Sequence, residues 1–217
     1  MLFLDRGHGG RLLASKLRQY KDTEALVLAI PRGGIPVAFE IAKSLNLPMD
    51  VLAVRKIGAP FNPELALGAI CEDILPVLSD SLLGYVNMTS NDLSEIVEIE
   101  KKEIQRQIKK FRQGRDLKNL KDKTIIVVDD GLATGATVLA AAKYLRAQKV
   151  AKIVVAVPIA SGSSVRKLKS KVDDFVVIEE SEDLLSVSYW YQDFAPVEDR
   201  RATFLLKSHM GLHAQHP

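Results

Sequence analysis

Four consecutive β-branched residues, Ile125-Ile-Val-Val128, run straight into two aspartates and a glycine, Asp129-Asp130-Gly131. A run with no polar position cannot lie half in water. It reads as a strand buried on both faces, the kind that sits inside a parallel sheet with helices on either side. That requirement puts the chain in the α/β class. The surrounding sequence agrees. Apolar runs at Ala25–Ile30, Met49–Val54, Ile153–Val157 and Phe175–Ile178 alternate with segments of helical period. Those segments start at Pro36 and run through Leu45, lie near 91–113, span Gly135 to Ala147, and recur near Ser163–Lys171 and Glu198–Lys207. Strands separated by helices give a mostly parallel twisted sheet flanked by helices. Pro36 suits a first helical turn, Asp92 with Glu95 has the capping-box spacing, and Gly114 ends the longest helix. Residues 57–88 break the pattern. Pro60, Pro63 and Pro76, with Gly58, Gly68 and Gly84, predict an irregular excursion with short strands.

A chain of 217 residues suits one domain, expected over residues 1–207, with a disordered tail at 208–217. Hydrophobic residues make up 47% of it, enough for a core without disulfides or structural metal. The single cysteine, Cys71, has no internal partner, which fits a reducing compartment. No apolar run approaches the roughly 18–20 residues of a membrane span. Asp5 comes too early for a signal peptide. The expectation is a cytoplasmic protein without membrane contact. A net charge of +3 and a pI near 8.9 suit an anionic ligand and are too weak to argue for nucleic acid. His209, His213 and His216 fall in the expected tail and receive no role.

The chemistry concentrates in Val127-Val-Asp-Asp-Gly-Leu-Ala-Thr-Gly-Ala-Thr137. A buried strand delivers two carboxylates at its C-terminal end, the edge where open α/β sheets bind ligands. Gly131 and Gly135 let backbone amides approach an anion, and Leu132, Ala133 and Ala136 add no charge. Thr134 and Thr137 supply hydroxyls, and the helix that follows adds its N-terminal amides and dipole. Carboxylates repel phosphate but accept hydrogen bonds from hydroxyls. A ribose 5-phosphate meets both demands, with the phosphate on residues 131–137 and the diol on Asp129 and Asp130. Each charged hydrogen bond there is worth about 1.5–3 kcal/mol. A Walker loop would need Lys before Ser or Thr after the last glycine, and here Ala136 stands there. A Rossmann fingerprint would need a third close glycine.

This segment resembles the signature of the type I phosphoribosyltransferases. Further resemblance to that family lies in Pro31-Arg-Gly-Gly-Ile-Pro36, Val54-Arg-Lys-Ile-Gly58, Pro63-Glu-Leu-Ala-Leu-Gly-Ala69 and Trp190-Tyr191. With Asp5-Arg6-Gly7 and Gly10-Arg11 they are similar to one bacterial subgroup of it. The resemblance implies a type I phosphoribosyltransferase fold with a small hood built from the N- and C-terminal segments. It implies transfer of phosphoribose from 5-phosphoribosyl-1-pyrophosphate to a nucleobase-like nitrogen acceptor. Mg2+ would come with the substrate, with no metal ligand assigned to the protein. Arg32, Gly33 and Gly34 would meet pyrophosphate, in a loop that in this family often holds a non-proline cis peptide. Arg55 and Lys56, expected at the end of the second strand, would balance the leaving group's charge. The catalytic set is then Arg32, Arg55, Lys56, Asp129 and Asp130. Glu64, Trp190 and Tyr191 are acceptor-side candidates, the two aromatics for stacking on a flat base. The family's mobile catalytic loop corresponds to residues 57–88, and a homodimer is implied by the resemblance alone.

Plainer readings stand beside these. Arg32-Gly-Gly also fits a simple turn before a helix, Arg55-Lys56 a solvated strand end, and Glu64 a structural ion pair. Trp190 and Tyr191 also fit packing of the last helix, and the basic residues of 91–113 a solvated face. The alternative function is a regulator that binds the sugar diphosphate or a nucleotide without catalysis and contacts RNA.

Overall fold

The computed structural model describes residues 2–59, 62–72, 76–78, 90–117 and 120–213. The chain opens with helix α1 (Arg6–Lys16), strand β1 (Leu26–Ala29), helix α2 (Gly34–Leu45) and strand β2 (Met49–Val51). Then come β3 (Val54–Ala59), β4 (Asn62–Cys71), β5 (Val77–Leu78) and the long helix α3 (Ser90–Arg112). The second half runs β6 (Thr124–Val128), α4 (Ala136–Ala147), β7 (Lys152–Ser161), α5 (Gly162–Leu168), β8 (Asp174–Ser181) and α6 (Asp199–His213). Strands β2, β1, β6, β7 and β8 form, in that order, a five-stranded sheet in which every pair is parallel. The fold is the α/β arrangement expected from the sequence.

Strand β6 lies at the middle of this sheet and is buried on both faces, as its β-branched run requires. Ile126 and Val128 join Val27, Ala29, Val154 and Ala156 in a core covered by α1, α2 and α6. Ile125 and Val127 join Leu28, Ile153 and Val155 in the opposite core, covered by α4. Burying each of the Val, Leu and Ile side chains contributes about 1.5–3 kcal/mol.

Strands β3, β4 and β5 make a separate three-stranded antiparallel sheet. Val54, Ala69, Cys71 and Val77 reach into the second core. Ile57, Leu67 and Ile70 face the other way and pack on Val97 and Ile104 of α3. The register of β3 on β4 shifts at Gly58, a bulge, while Pro63 and Gly68 lie within β4 itself. The expected second strand therefore divides: the parallel sheet keeps Met49–Val51, and the chain crosses to the antiparallel sheet at Val54. The expected mobile loop falls partly on residues 60–61, 73–75 and 79–89, outside the described residues.

Three other elements depart from expectation. The sequence reading has no helix at α1, because Gly7, Gly9 and Gly10 each lower helix propensity by about 1 kcal/mol against alanine. Asp5 caps that helix, its Oδ1 accepting the His8 N–H at 2.7 Å, and two of the glycines permit close packing. A Cβ on Gly9 would lie 2.7 Å from Pro158 Cγ, and one on Gly10 would lie 2.5 Å from the Val37 carbonyl oxygen. Strand β7 continues past Val157 through Pro158. Its pairing with β6 ends at Ala156, so the missing N–H of the proline costs no β6 ladder bond. Finally, α6 continues to His213, six residues into the stretch expected to be a disordered tail, whose last residues lie outside the described ones. His209 is buried there, with its Nε2 2.8 Å from the Leu47 carbonyl oxygen. No helix among the described residues is long and apolar enough to cross a membrane.

One buried ion pair ties α3 to the start of the antiparallel sheet. Arg112 is 1% exposed, and its Nη2 donates to Glu72 Oε2 at 2.6 Å. Glu72 Oε1 accepts the Ala53 N–H at 2.9 Å. Glu72→Gln keeps the shape and removes the counter-charge of a buried guanidinium. It is expected to cost about 3–5 kcal/mol, measured as a lower urea midpoint. A midpoint unchanged from wild type would show that the pair does not stabilise the fold.

Candidate active site

Because β1 and β6 are parallel neighbours, they end at the same edge and release two loops side by side. The Ile30 N–H donates to the Val128 carbonyl at 2.8 Å, extending the ladder to the last residue before Pro31. The Pro31–Arg32 peptide is cis. Gly33 then lies against the Asp130 carboxylate, where a Cβ would collide with Oδ2. A Cβ on Gly34 would lie 2.5 Å from the Val128 carbonyl oxygen and 3.0 Å from Asp129 Cα. Both glycines are needed by close approach, and α2 starts directly behind them. The loop of residues 31–34 and the paired aspartates thus form one site.

After Asp130 the chain passes under the turn at Val187–Trp190, with Val187 where a Cβ on Gly131 would be. Leu132 then returns to β7. Its N–H donates to the Ile159 carbonyl at 2.9 Å, and its carbonyl accepts the Ser161 N–H at 2.8 Å. Its side chain is buried in the core, so only its backbone faces the loop. The Ser164 hydroxyl donates to the Ala133 carbonyl at 2.5 Å. Gly135 has φ 78°, a conformation that favours glycine, and α4 begins at Ala136. Ala133 and Thr134 are exposed, and Ala136 and Thr137 half-buried. A cleft of about 630 Å3 opens beside them, lined also by Leu139, Ser164 and Lys167.

The two carboxylates differ in their surroundings. Asp129 Oδ1 accepts the Asp130 N–H at 2.8 Å. Burial, with the neighbouring charge of Asp130 adding to it, holds the Asp129 carboxyl well above the usual range. Burial also raises Asp130, but Arg6 opposes that shift. Arg6 Nε donates to Asp130 Oδ2 at 2.7 Å and Nη1 to the Ala195 carbonyl at 2.9 Å. Its guanidinium lies 3.8 Å over the ring of Phe194. Tyr191 donates its hydroxyl to the Asp130 carbonyl at 2.6 Å, and burial pushes its ionisation upward.

The N- and C-terminal segments meet above these groups. Phe3 pairs with Tyr191 through a parallel bridge, and their rings lie 5.3 Å apart. Tyr191 is 6% exposed, wedged between Phe3 and Phe194. It has no open face for stacking on a base, which corrects that expectation. Trp190 is half-buried and packs on the same cluster.

Arg55 and Lys56 also differ from expectation. They lie on β3 of the antiparallel sheet and not at the end of a parallel strand, because the chain has already changed sheets. Arg55 Nε is held by Glu100 Oε2 of α3 at 2.7 Å. Arg32 is half-exposed and reaches Asp199 Oδ1 at 3.4 Å. Asp199 Oδ2 takes Arg106 at 2.9 Å and Lys110 at 2.8 Å, so the basic face of α3 is partly neutralised at the start of α6. Glu64 is on β4, and its side chain lies outside the described residues. Sequence reasoning had Arg6 and Phe194 only as members of the hood segments 5–11 and 189–194, without a link to Asp130, and missed Asp199. The local signal for Arg6 was Asp5 as a helix cap three residues before His8.

A carboxylate pair and the loop after it, set against a second glycine loop at the C-terminal edge of a parallel sheet, define the class: an α/β protein with its candidate site at that edge. Comparison with known proteins gives the family. The phosphoribosyl transferase domain model matches residues 6–194, and the chain belongs to that family. It is 43% identical over 209 residues to a Mycobacterium tuberculosis protein named "Putative phosphoribosyl transferase Rv0571c". That alignment takes in 96% of this chain and 47% of the relative, so the chain spans about half the relative's length. A crystal structure of TT1426 from Thermus thermophilus superposes with a TM-score of 0.78 at 36% identity, covering 96% of this chain and 99% of that one. A hypoxanthine phosphoribosyltransferase from Staphylococcus aureus, 13% identical, shares the fold with a TM-score of 0.50, covering 84% of this chain and 78% of that one.

An acid whose pKa is raised on folding costs stability from the pH at which the unfolded chain ionises; stability falls as pH rises through the ordinary carboxylate range and on up to the folded-state pKa. Asp129→Asn keeps an oxygen for the Asp130 N–H and removes the buried charge. It is expected to raise the melting temperature at neutral pH by ~2–4 °C for each kcal/mol relieved. The gain should vanish toward pH ~4, where the unfolded acid is itself protonated. A gain independent of pH, or none, would count against a raised Asp129 carboxyl in the folded protein.

Proposed function

We propose that this protein transfers the 5-phosphoribosyl group of magnesium-bound 5-phosphoribosyl-1-pyrophosphate to a nucleobase-like nitrogen acceptor, releasing pyrophosphate. The observation that carries this reading is the approach of the two loops, with Gly33 against the Asp130 carboxylate and Gly34 against Val128. One loop offers carboxylates to hydroxyls and amides to a phosphate. The other brings Arg32 beside them, where a second anionic group of the same molecule would lie. Phosphoribosyl pyrophosphate carries both anions on one diol-bearing ring.

In this reading Asp129 and Asp130 accept from the ribose 2- and 3-hydroxyls. The backbone of Gly131 to Thr137 and the first turn of α4 receive the 5-phosphate. Arg32, with the backbone of Gly33 and Gly34, receives pyrophosphate. The bond from C1 to the pyrophosphate oxygen breaks, and its electron pair leaves with pyrophosphate. The acceptor nitrogen forms the new bond to C1 and loses its proton to solvent. Positive charge builds on the ribose ring in between, as in glycoside cleavage. No protein nucleophile is required: holding the ring and supplying fixed charges lowers the barrier. Among the described residues no group of three or more His, Cys, Asp or Glu is placed to hold a metal. In this reading magnesium would enter as part of the substrate, where it would neutralise pyrophosphate and make it a better leaving group. Arg55, held by Glu100, acts at longer range unless that pair opens.

The test is pyrophosphate release from phosphoribosyl pyrophosphate and magnesium across a panel of nucleobases, with Asp130→Asn as the blank. Release with one base and none in the variant is expected. No release with any base would overturn transfer and leave a binding protein. Arg32→Ala should weaken pyrophosphate binding in calorimetry by about tenfold while ribose 5-phosphate binding changes little. Equal losses for both ligands would place Arg32 away from the leaving group.

A further inference from the structure

Arg6 belongs to no part of the phosphate-and-diol motif, yet it is the side chain bound to one of its carboxylates. It is 9% exposed, and the Asp130 side chain 17%. Three separate contacts fix its guanidinium: Asp130 Oδ2, the Ala195 carbonyl and the face of Phe194. The backbone beneath it is fixed as well. Asp5 caps α1, Gly9 and Gly10 seat that helix against β7 and α2, and the Phe3 N–H donates to the Trp190 carbonyl at 2.8 Å. Arg6 is therefore as well defined as the carboxylate it holds.

We propose that Arg6 is a positioning residue for phosphoribose: by tying Asp130 Oδ2, it leaves Oδ1 as the oxygen that accepts a ribose hydroxyl. The role rests on Asp130 being a diol acceptor. An unheld carboxylate can rotate and present either oxygen, whereas one anchored by a guanidinium presents a single lone-pair direction. Arg6 has an electrostatic part as well. Two adjacent buried carboxylates oppose each other's ionisation, and Arg6 offsets that for Asp130. Among the described residues the other titratable groups facing Asp130 are Asp129, whose carboxyl also shares a side-chain hydrogen bond with it, and Tyr191, whose hydroxyl donates to the Asp130 carbonyl. Asp5, Asp193 and Arg201 line the small cavity beside Arg6.

Calorimetry with ribose 5-phosphate, and separately with magnesium pyrophosphate, tests this on the full chain as Arg6→Gln, Arg6→Lys and Asp130→Asn. Arg6→Gln should weaken ribose 5-phosphate about tenfold or more near neutral pH and leave pyrophosphate affinity unchanged. The lost affinity should return as pH rises, because Asp130 without its guanidinium ionises later. Arg6→Lys should restore part of the affinity and the wild-type pH dependence. It keeps the charge but cannot reach Asp130 and Ala195 together. If Arg6→Gln does not fold, the Arg6→Lys protein carries the test through reduced ribose 5-phosphate affinity at unchanged pyrophosphate affinity. Wild-type affinity in the Arg6 variants, or a loss equal at every pH and for both ligands, would overturn the proposal. Wild-type affinity in Asp130→Asn would instead overturn the diol reading beneath it. Loss in Asp130→Asn with none in the Arg6 variants would remove only the role of Arg6.

Discussion

The site exists because β6 spends all of its backbone and both of its faces on the sheet. With β1 on one side and β7 on the other, every ladder position from Ile125 to Val128 is taken, and the alternating side chains fill two separate cores. Nothing polar can be housed along such a strand. Polar groups collect where it ends, and the parallel register ensures that β1 ends there too. The rest of the site follows from how closely those two ends approach. Gly33 and Gly34 have no side chain to hold the loops apart, so a carboxylate and a helix start share a space that a methyl group would occupy.

The arrangement sets stability against chemistry. A carboxylate drawn out of water beside another is costly to a fold, and Asp129, half-buried next to Asp130, is such a group. Around it the protein is over-determined: Leu132 is pinned to β7, Tyr191 is wedged between two rings, and Arg6 is held on three sides. Rigid surroundings allow an unfavourable group to persist, as preorganised charge in catalysis requires. The same rigidity explains why the aromatic cluster serves packing. The ring of Tyr191 is used up in building the roof over Asp130.

How far the sequence could be read follows from how local each feature is. The parallel sheet was legible because its strands are uninterrupted apolar runs, and residues 127–137 because strand, loop and helix start are contiguous. The antiparallel sheet was not. Its prolines and glycines mark bends as readily as disorder, and its apolar faces make sense only against α3 and the second core. Helix α1 was hidden by glycines whose purpose is tight packing against residues far along the chain. Arg6 was hidden for a similar reason, since Asp130 lies 124 positions away in sequence. The extension of α6 from Lys207 to His213 was not legible, because His209 reads as polar until the Leu47 carbonyl is seen beside it.

Asp199 joins three segments that the sheets do not bind directly to one another. Through one carboxylate the Arg32 loop is spliced to Arg106 and Lys110 of α3 and to the first turn of α6. The contact to Arg32 is the longest of the three, and Arg32 is open to solvent, so mobile ions screen it. The glycine loop is thus stiff where it touches the aspartates and compliant at its outer end. That compliance is set by the electrolyte around the protein as much as by its own residues.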